Sequence, residues 1–286
     1  MSDPHTPEIN WYPGHMKKAV RMMEESLSMV DAVAEIRDAR IPESSRNPDI
    51  DRLAGDKPRL VILNRADQAD PAATALWRRA LAGQGMAVLE TDCRSGRGVN
   101  QFPAAARGLL HDLIERSRAR GQVGRPLRFM VLGIPNVGKS SFINRAAGRK
   151  AAQAGDKPGV TRGKQWISLD GIQLLDTPGI LWPKLDTPDT GLSLAWTGAI
   201  KDDILDCELV ALRLLERLRE LYPDAVEQRY KVTPAPELTG YELLELCARK
   251  RGFLVSGGEC DTERMAHILL DEFRGGKLGR ITLERP

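Results

Sequence analysis

The sequence predicts an α/β domain followed by a small all-α domain. Two observations carry this. Between residues 32 and 175 short apolar runs alternate with stretches of helical period, whereas from about residue 191 onward only helical patterns remain. One of the apolar runs, Arg128 to Leu132, leads directly into Gly133-Ile134-Pro135-Asn136-Val137-Gly138-Lys139-Ser140, with Ser141 next and a helical pattern to Ala147 behind it. A strand, a G-x-x-x-x-G-K-S loop and a helix form a phosphate-binding unit. The glycines let the backbone wrap a phosphate so that N–H groups from Asn136, Val137, Gly138, Lys139, Ser140 and Ser141 face it, at the positive end of a helix. Lys139 is expected to reach the β- and γ-phosphates, and Ser140 to ligate Mg²⁺.

The 286 residues are 42% hydrophobic and 28% charged, enough to bury a core and keep a polar surface. A net charge of +3 does not describe a protein that coats nucleic acid. Its basic residues cluster, however, at Arg249, Lys250 and Arg251 and at Arg274, Lys277 and Arg280. These clusters suit a phosphate-rich partner, or they are solvated helix faces. The four cysteines form no C-x-x-C, so neither a zinc site nor a disulfide framework is expected. No apolar run resembles a signal peptide or a membrane span, which points to the cytoplasm with no membrane partner; a monomer in solution is expected.

Taken in order, Met16 to Val30 repeats apolar residues at helical spacing, and Ala32 to Ala39 reads as a strand. Pro58 to Leu63 is uninterrupted and apolar, as a strand covered on both faces must be. Asp70-Pro71 is a cap followed by a first-turn proline and opens a helix to about Ala82. Met86 to Glu90 is a strand, and Val99 to Ser117 reads as one helix. Lys150 to Thr161 reads as a loop. Lys164 to Leu169 and Ile172 to Leu175 form a hairpin around Asp170-Gly171. Helices are expected over 191–198, 202–221, 240–249 and 261–274, giving domains of 1–185 and 186–286.

Four further motifs fit the phosphate loop. Asp176-Thr177-Pro178-Gly179 is D-x-x-G: Asp176 is suited to hold Mg²⁺, and the Gly179 N–H to bond a γ-phosphate. Thr161 is placed to reach the same ion and phosphate. Asn64-Arg65-Ala66-Asp67 has the spacing of a guanine reader, in which Asp67 accepts from N1–H and the 2-amino group. Taken alone, N-x-x-D after a strand also fits a helix cap. Asp92-Cys93 could offer a backbone N–H to guanine O6. Together these motifs supply a residue for each task in binding Mg²⁺–GTP, but in rotated order, with the base readers before the phosphate loop.

With Trp11-Tyr12-Pro13-Gly14-His15, Asp38-Ala39-Arg40-Ile41-Pro42 and the tail from Gly257 to Glu284 added, the chain resembles the circularly permuted GTPases of the ribosome biogenesis GTPase A (YlqF) family. The resemblance covers nearly the whole chain. It implies a circularly permuted P-loop GTPase domain with a C-terminal helical domain, GTP and GDP as ligands, and maturation of the large (50S) ribosomal subunit. It also implies that the helical domain binds rRNA, through Arg249, Lys250, Arg251, Arg274, Lys277 and Arg280 here. Two positions depart from the family pattern: Arg65 replaces a lysine, and Asp92-Cys93 replaces Ser-Ala. Ile180 stands where many GTPases carry a water-orienting glutamine. The residues alone favour a His15 that only caps or packs the first helix, whereas the resemblance offers His15 for the water-orienting role. Resemblance to potassium-activated GTPases makes Asn136 a K⁺ ligand; otherwise it braces the loop. An alternative to the ribosomal role is a nucleotide-gated adaptor for a protein partner.

Overall fold

The computed structural model describes residues 14–122, 124–148, 165–182, 185 and 187–286. Thr161 and the side chain of His15 lie outside the described residues.

Among the described residues six strands form one sheet in the order β3-β2-β1-β4-β6-β5. They are β1 (Ala32–Asp38), β2 (Arg59–Asn64), β3 (Ala87–Glu90), β4 (Leu127–Leu132), β5 (Trp166–Leu169) and β6 (Ile172–Leu175). All are parallel except β5, which pairs antiparallel with β6 across the Asp170-Gly171 turn. Both turn residues have positive φ, as a two-residue hairpin of this hand requires. Leu60, Val61, Ile62 and Leu63 are all fully buried, the reason that run could be uninterrupted and apolar.

Eleven helices occur among the described residues. In the sheet region they are α1 (Gly14–Ser26), α2 (Pro48–Ala54), α3 (Pro71–Gly83), α4 (Phe102–Leu109), α5 (His111–Ala119) and α6 (Lys139–Ala147). The C-terminal region has α7 (Pro188–Trp196), α8 (Cys207–Leu221), α9 (Pro223–Tyr230), α10 (Gly240–Arg251) and α11 (Thr262–Arg274). Several expected boundaries shift. The single helix of 99–117 breaks at Leu110, whose ψ of 21° leaves helical geometry between α4 and α5. The first helix stops at Ser26, whose hydroxyl turns back onto the Met22 carbonyl at 2.6 Å. Helices α2 and α9 were not expected. Each begins with a first-turn proline, and Asn47 caps α2 by accepting from the Asp49 N–H at 2.9 Å.

Helix α8 packs against α7, α9, α10 and α11. An ion cluster around the buried Glu272 staples this bundle: Glu272 of α11 accepts from the half-buried Arg229 and the buried Tyr230 of α9 and from the half-buried Arg251 of α10. One continuous apolar core runs from Ile36 and Phe129 of the sheet to Leu214 and Leu269 of the bundle. The chain beyond α11 returns to the sheet, where Ile281 N–H bonds the Gln68 carbonyl and Leu283 N–H bonds the Arg40 carbonyl, both at 2.8 Å.

Candidate functional site

Strand order reverses between β1 and β4, because β2 and β3 extend one way and β6 the other. At such a switch point the loops leaving the carboxyl ends of neighbouring strands diverge and open a crevice. The loops leaving β1, β2, β3, β4 and β6 carry Asp38–Arg40, Asn64–Asp67, Thr91–Cys93, Gly133–Gly138 and Asp176–Gly179. Rotation of the sequence therefore leaves the motifs on one edge of one sheet.

Direct bonds join them. Asn64 Nδ2 donates to the Val137 carbonyl at 2.9 Å, and Thr91 Oγ1 donates to Asn64 Oδ1 at 3.2 Å. Ala66 N–H bonds the Thr91 carbonyl at 3.1 Å. Arg65 does not simply replace the stem of a lysine. Its Nη2 donates to the Asn136 carbonyl at 2.7 Å, and its Nε lies 3.8 Å from Asp38. Asp67 is half-buried beside it, and its carboxylate takes part in no hydrogen bond among the described residues.

The phosphate loop needs its glycines. A Cβ on Gly133 would meet the Ile36 carbonyl at 2.6 Å, and one on Gly138 would meet Asn64 Nδ2. Lys139 is buried and donates to the Gly133 and Ile134 carbonyls at 3.1 and 2.8 Å. Burial pushes its pKa down to about 8 against the opposing pull of Asp176. Burial likewise raises Asp176, with Lys139 and the Ser140 hydroxyl pulling the other way. Asp176 Oδ1 is buried without a hydrogen-bond partner. An orphaned carboxylate oxygen beside a serine hydroxyl is an oxygen donor set that fits a hard cation such as Mg²⁺.

Gly179 packs onto the loop so tightly that a Cβ would lie 2.6 Å from Pro135 Cα and 2.9 Å from Lys139 Nζ. Ile180 is fully buried, and its carbonyl accepts from Asn47 Nδ2 at 2.9 Å. Facing the core, Ile180 has no means of orienting water.

Asp92 spends its carboxylate on its own loop. It accepts from the Arg94 N–H at 2.8 Å and from the Ser95 hydroxyl. Burial would raise its pKa, but these bonds outweigh burial and hold it low. The departure from Ser at this place is thus a turn-forming aspartate. Burial, with Asp92 and Asp67 nearby, pushes the Cys93 thiol up to about 11, leaving it inert. Asn136 adopts a positive φ of 57° and donates through Nδ2 to the Gly198 carbonyl at 2.7 Å. This bond runs from the phosphate loop to the turn after α7.

Sequence reasoning missed Arg40. It is 1% exposed, clamps Asp38 with bonds of 2.9 and 2.8 Å, and lies over the Phe273 ring at 5.2 Å. Its sequence signal was only the Asp-Ala-Arg turn. The structure also divides the six basic residues assigned to RNA. Arg274 makes a fork to Asp202 at 2.7 Å and donates to the Ala195 and Trp196 carbonyls. Arg280 donates to the Ala66 and Ala69 carbonyls, and Arg251 joins the Glu272 cluster. Arg249, Lys250, Lys277 and Arg280 are all exposed, Arg280 despite its two carbonyl bonds. A cleft of about 840 Å³, lined by Trp182, Trp196 and Arg217 among others, includes none of the residues assigned to nucleotide or Mg²⁺.

Residues 128–228 match the family model described as "50S ribosome-binding GTPase". The chain is 45% identical over 280 residues to ribosome biogenesis GTPase A of Priestia megaterium, covering 97% of each chain. It resembles the GDP-bound structure of TM YlqF with a TM-score of 0.68 and 29% identity, covering 93% of this chain and 99% of that one. The GNP-bound YlqF from T. maritima gives a TM-score of 0.64 at 30% identity, over 94% and 98% of the chains.

Proposed function

The chain belongs to the ribosome biogenesis GTPase A family, and from that premise we propose that it hydrolyses GTP at the loops described above to gate a late step of 50S subunit assembly. It is a GTPase of ribosome assembly. The finer reading concerns which residues act and what they grip. The observation that carries it is the Asn64–Val137 bond, which ties the base-reading motif to the phosphate loop across 73 residues of rotated sequence.

In this reading Asp67 accepts from guanine, with Asn64, Arg65 and Ala66 shaping its loop and the Asp92-Cys93 backbone beside the base. N–H groups of Asn136 to Ser141 and the Lys139 ammonium hold the phosphates, and the Gly179 N–H reads the third. Ser140 and Asp176, with Thr161, are the residues that would hold Mg²⁺, which supplies charge neutralisation to the phosphoryl oxygens when bound. Water attacks the γ-phosphorus, and the bond to the β,γ-bridging oxygen breaks, giving GDP and phosphate. Lys139 and the loop amides stabilise the charge that moves onto that leaving oxygen. Ile180 faces the core, and His15 takes the water-orienting role on the strength of the family resemblance. Asn136 keeps Oδ1 as its one side-chain ligand for K⁺, its Nδ2 being committed to Gly198.

Residues 1–185 form the GTPase domain and 186–286 the ribosome-binding domain, in which exposed Arg249, Lys250 and Lys277 contact rRNA phosphates. Arg280 is exposed beside them, while Arg251 and Arg274 are half-buried and held by Glu272 and Asp202. The working place is the cytoplasm and the working form a monomer; among the described residues no helix is long and apolar enough to cross a membrane. Asp67→Asn tests the site assignment. An amide donates where the carboxylate accepted, so preference should move from GTP toward XTP in a competition assay. An unchanged ratio removes Asn64 to Asp67 from the site.

A further inference from the structure

The last residues of the chain build part of the base-reading loop. Arg280 donates through Nε to the Ala69 carbonyl at 3.0 Å and through Nη2 to the Ala66 carbonyl at 2.9 Å. Ile281 N–H takes the Gln68 carbonyl between them at 2.8 Å. The Thr282 hydroxyl accepts from the Asp70 N–H and donates to the Ala39 carbonyl, both at 3.1 Å. Gly276, at φ +73°, approaches so closely that a Cβ would stand 3.1 Å from Gln68 Cγ. The carbonyls of residues 66, 68 and 69 are thus all engaged by a segment more than 200 residues away in sequence.

This loop needs outside support. Arg65 sits in the left-handed region at φ +60°, which a non-glycine side chain adopts at a cost. Asp67, the residue after Ala66, has no hydrogen bond of its own among the described residues to fix it. Its direction is therefore set by the backbone on either side, and Arg280 grips that backbone at Ala66 and again at Ala69.

We propose that Arg280 is a positioning residue for guanine recognition, acting through the Ala66 and Ala69 carbonyls to aim the Asp67 carboxylate. The proposal rests on the reading of Asn64 to Asp67 as the base reader. Without the guanidinium fork the loop loses pre-organisation, and the loss falls on contacts to the base, not to the phosphates. Guanine presents two donors to Asp67, whereas hypoxanthine lacks the 2-amino group and presents one. A mis-aimed carboxylate therefore penalises GDP more than IDP. A residue that only stabilised the fold would penalise both equally. The tail is also continuous with α11, so a ligand of the helical domain that shifts the tail changes guanine affinity, and guanine in turn changes affinity for that ligand.

The test uses the full chain with Arg280→Ala, Arg280→Lys and, separately, Asp67→Asn. Affinities for GDP and IDP are measured by competition with a fluorescent nucleotide, and turnover at saturating GTP beside them. Arg280→Ala should raise the GDP Kd about tenfold, as loss of a charged hydrogen-bond pair implies, and the IDP Kd clearly less. The GDP/IDP preference then contracts while turnover holds. Arg280→Lys, which keeps a donor within reach of the carbonyls, should fall between, and it decides the question alone if the alanine variant does not fold. Equal changes for GDP and IDP, or none, while Asp67→Asn still turns the protein toward xanthine nucleotides, overturn the inference and leave the base-reading assignment standing. If Asp67→Asn produces no such turn, the assignment falls and the inference falls with it.

Discussion

Asn64 Nδ2 and the Val137 carbonyl, 2.9 Å apart, connect the end of β2 to the phosphate loop that follows β4. The bond is buried, so removing its donor leaves a carbonyl without a partner. Asn64→Ala should weaken GTP and GDP binding together and cost about 1–3 kcal/mol of stability. Thermal unfolding with and without GDP checks both parts; an unchanged affinity would show that the two loops keep their relation without the bond.

Gly179 and Pro135 are the second contact between motifs. With Pro135 Cα 2.6 Å from the site of a Cβ, Gly179→Ala must push the D-x-x-G loop off the phosphate loop. The expected result is a larger loss of affinity for a GTP analogue than for GDP, since only the third phosphate is read there. Isothermal titration with the two nucleotides measures it, and equal losses would place Gly179 outside γ-phosphate recognition.

Lys139 gives the site a pH dependence whose sign follows from its surroundings. Burial lowers its pKa to about 8, below the usual lysine value, while bound phosphates favour its charged form. Below about pH 8 the ammonium is already charged and affinity is flat. Above it, binding must take up a proton, so GDP affinity should fall, by up to about tenfold per pH unit. Lys139→Ala binds weakly and should lose this slope. A slope that survives in the variant belongs to another group, such as the base itself.

Glu272 should decide the stability of the helical bundle. Burial alone would raise its pKa, but Arg229, Tyr230 and Arg251 outweigh it and bring it to about 2. Because the folded value lies below the unfolded one, this contribution is fully present above about pH 4.5 and is lost as pH falls toward 2. Glu272→Gln should cost about 2 kcal/mol near neutral pH, less than breaking a fully buried pair because solvent partly screens Arg229 and Arg251. Urea unfolding from pH 7 down to 3 should show the gap between variant and parent narrowing.

Much of the site was legible because it is written in local spacing. Gly133 to Ser140, Asn64 to Asp67 and Asp176 to Gly179 each announce a backbone geometry, and the parallel sheet gathers them whatever their order. Helix α2 was missed although Asn47-Pro48 repeats the cap-then-proline signal of Asp70-Pro71, because seven residues are too few to show a helical period. Arg274 and Arg280 were not legible either. Their clustering signalled a basic surface, and only long-range packing shows that Arg274 turns onto Asp202 and that Arg280, still exposed, also holds Ala66. Arg40 was equally hidden, because a buried arginine leaves no periodic trace. Asp92 departed from the family pattern in charge, yet its spacing to Ser95 is that of an ordinary side-chain-capped turn.

Co-sedimentation with purified large ribosomal subunits tests the central claim most directly. The protein should pellet with 50S subunits in the presence of a non-hydrolysable GTP analogue, remain largely in the supernatant with GDP, and release as salt rises. The Arg249→Glu, Lys250→Glu double variant should stay in the supernatant with either nucleotide while hydrolysing GTP at its basal rate. Pelleting that is equal in GDP and the GTP analogue, or absent in both, would contradict a nucleotide-gated role on the large subunit.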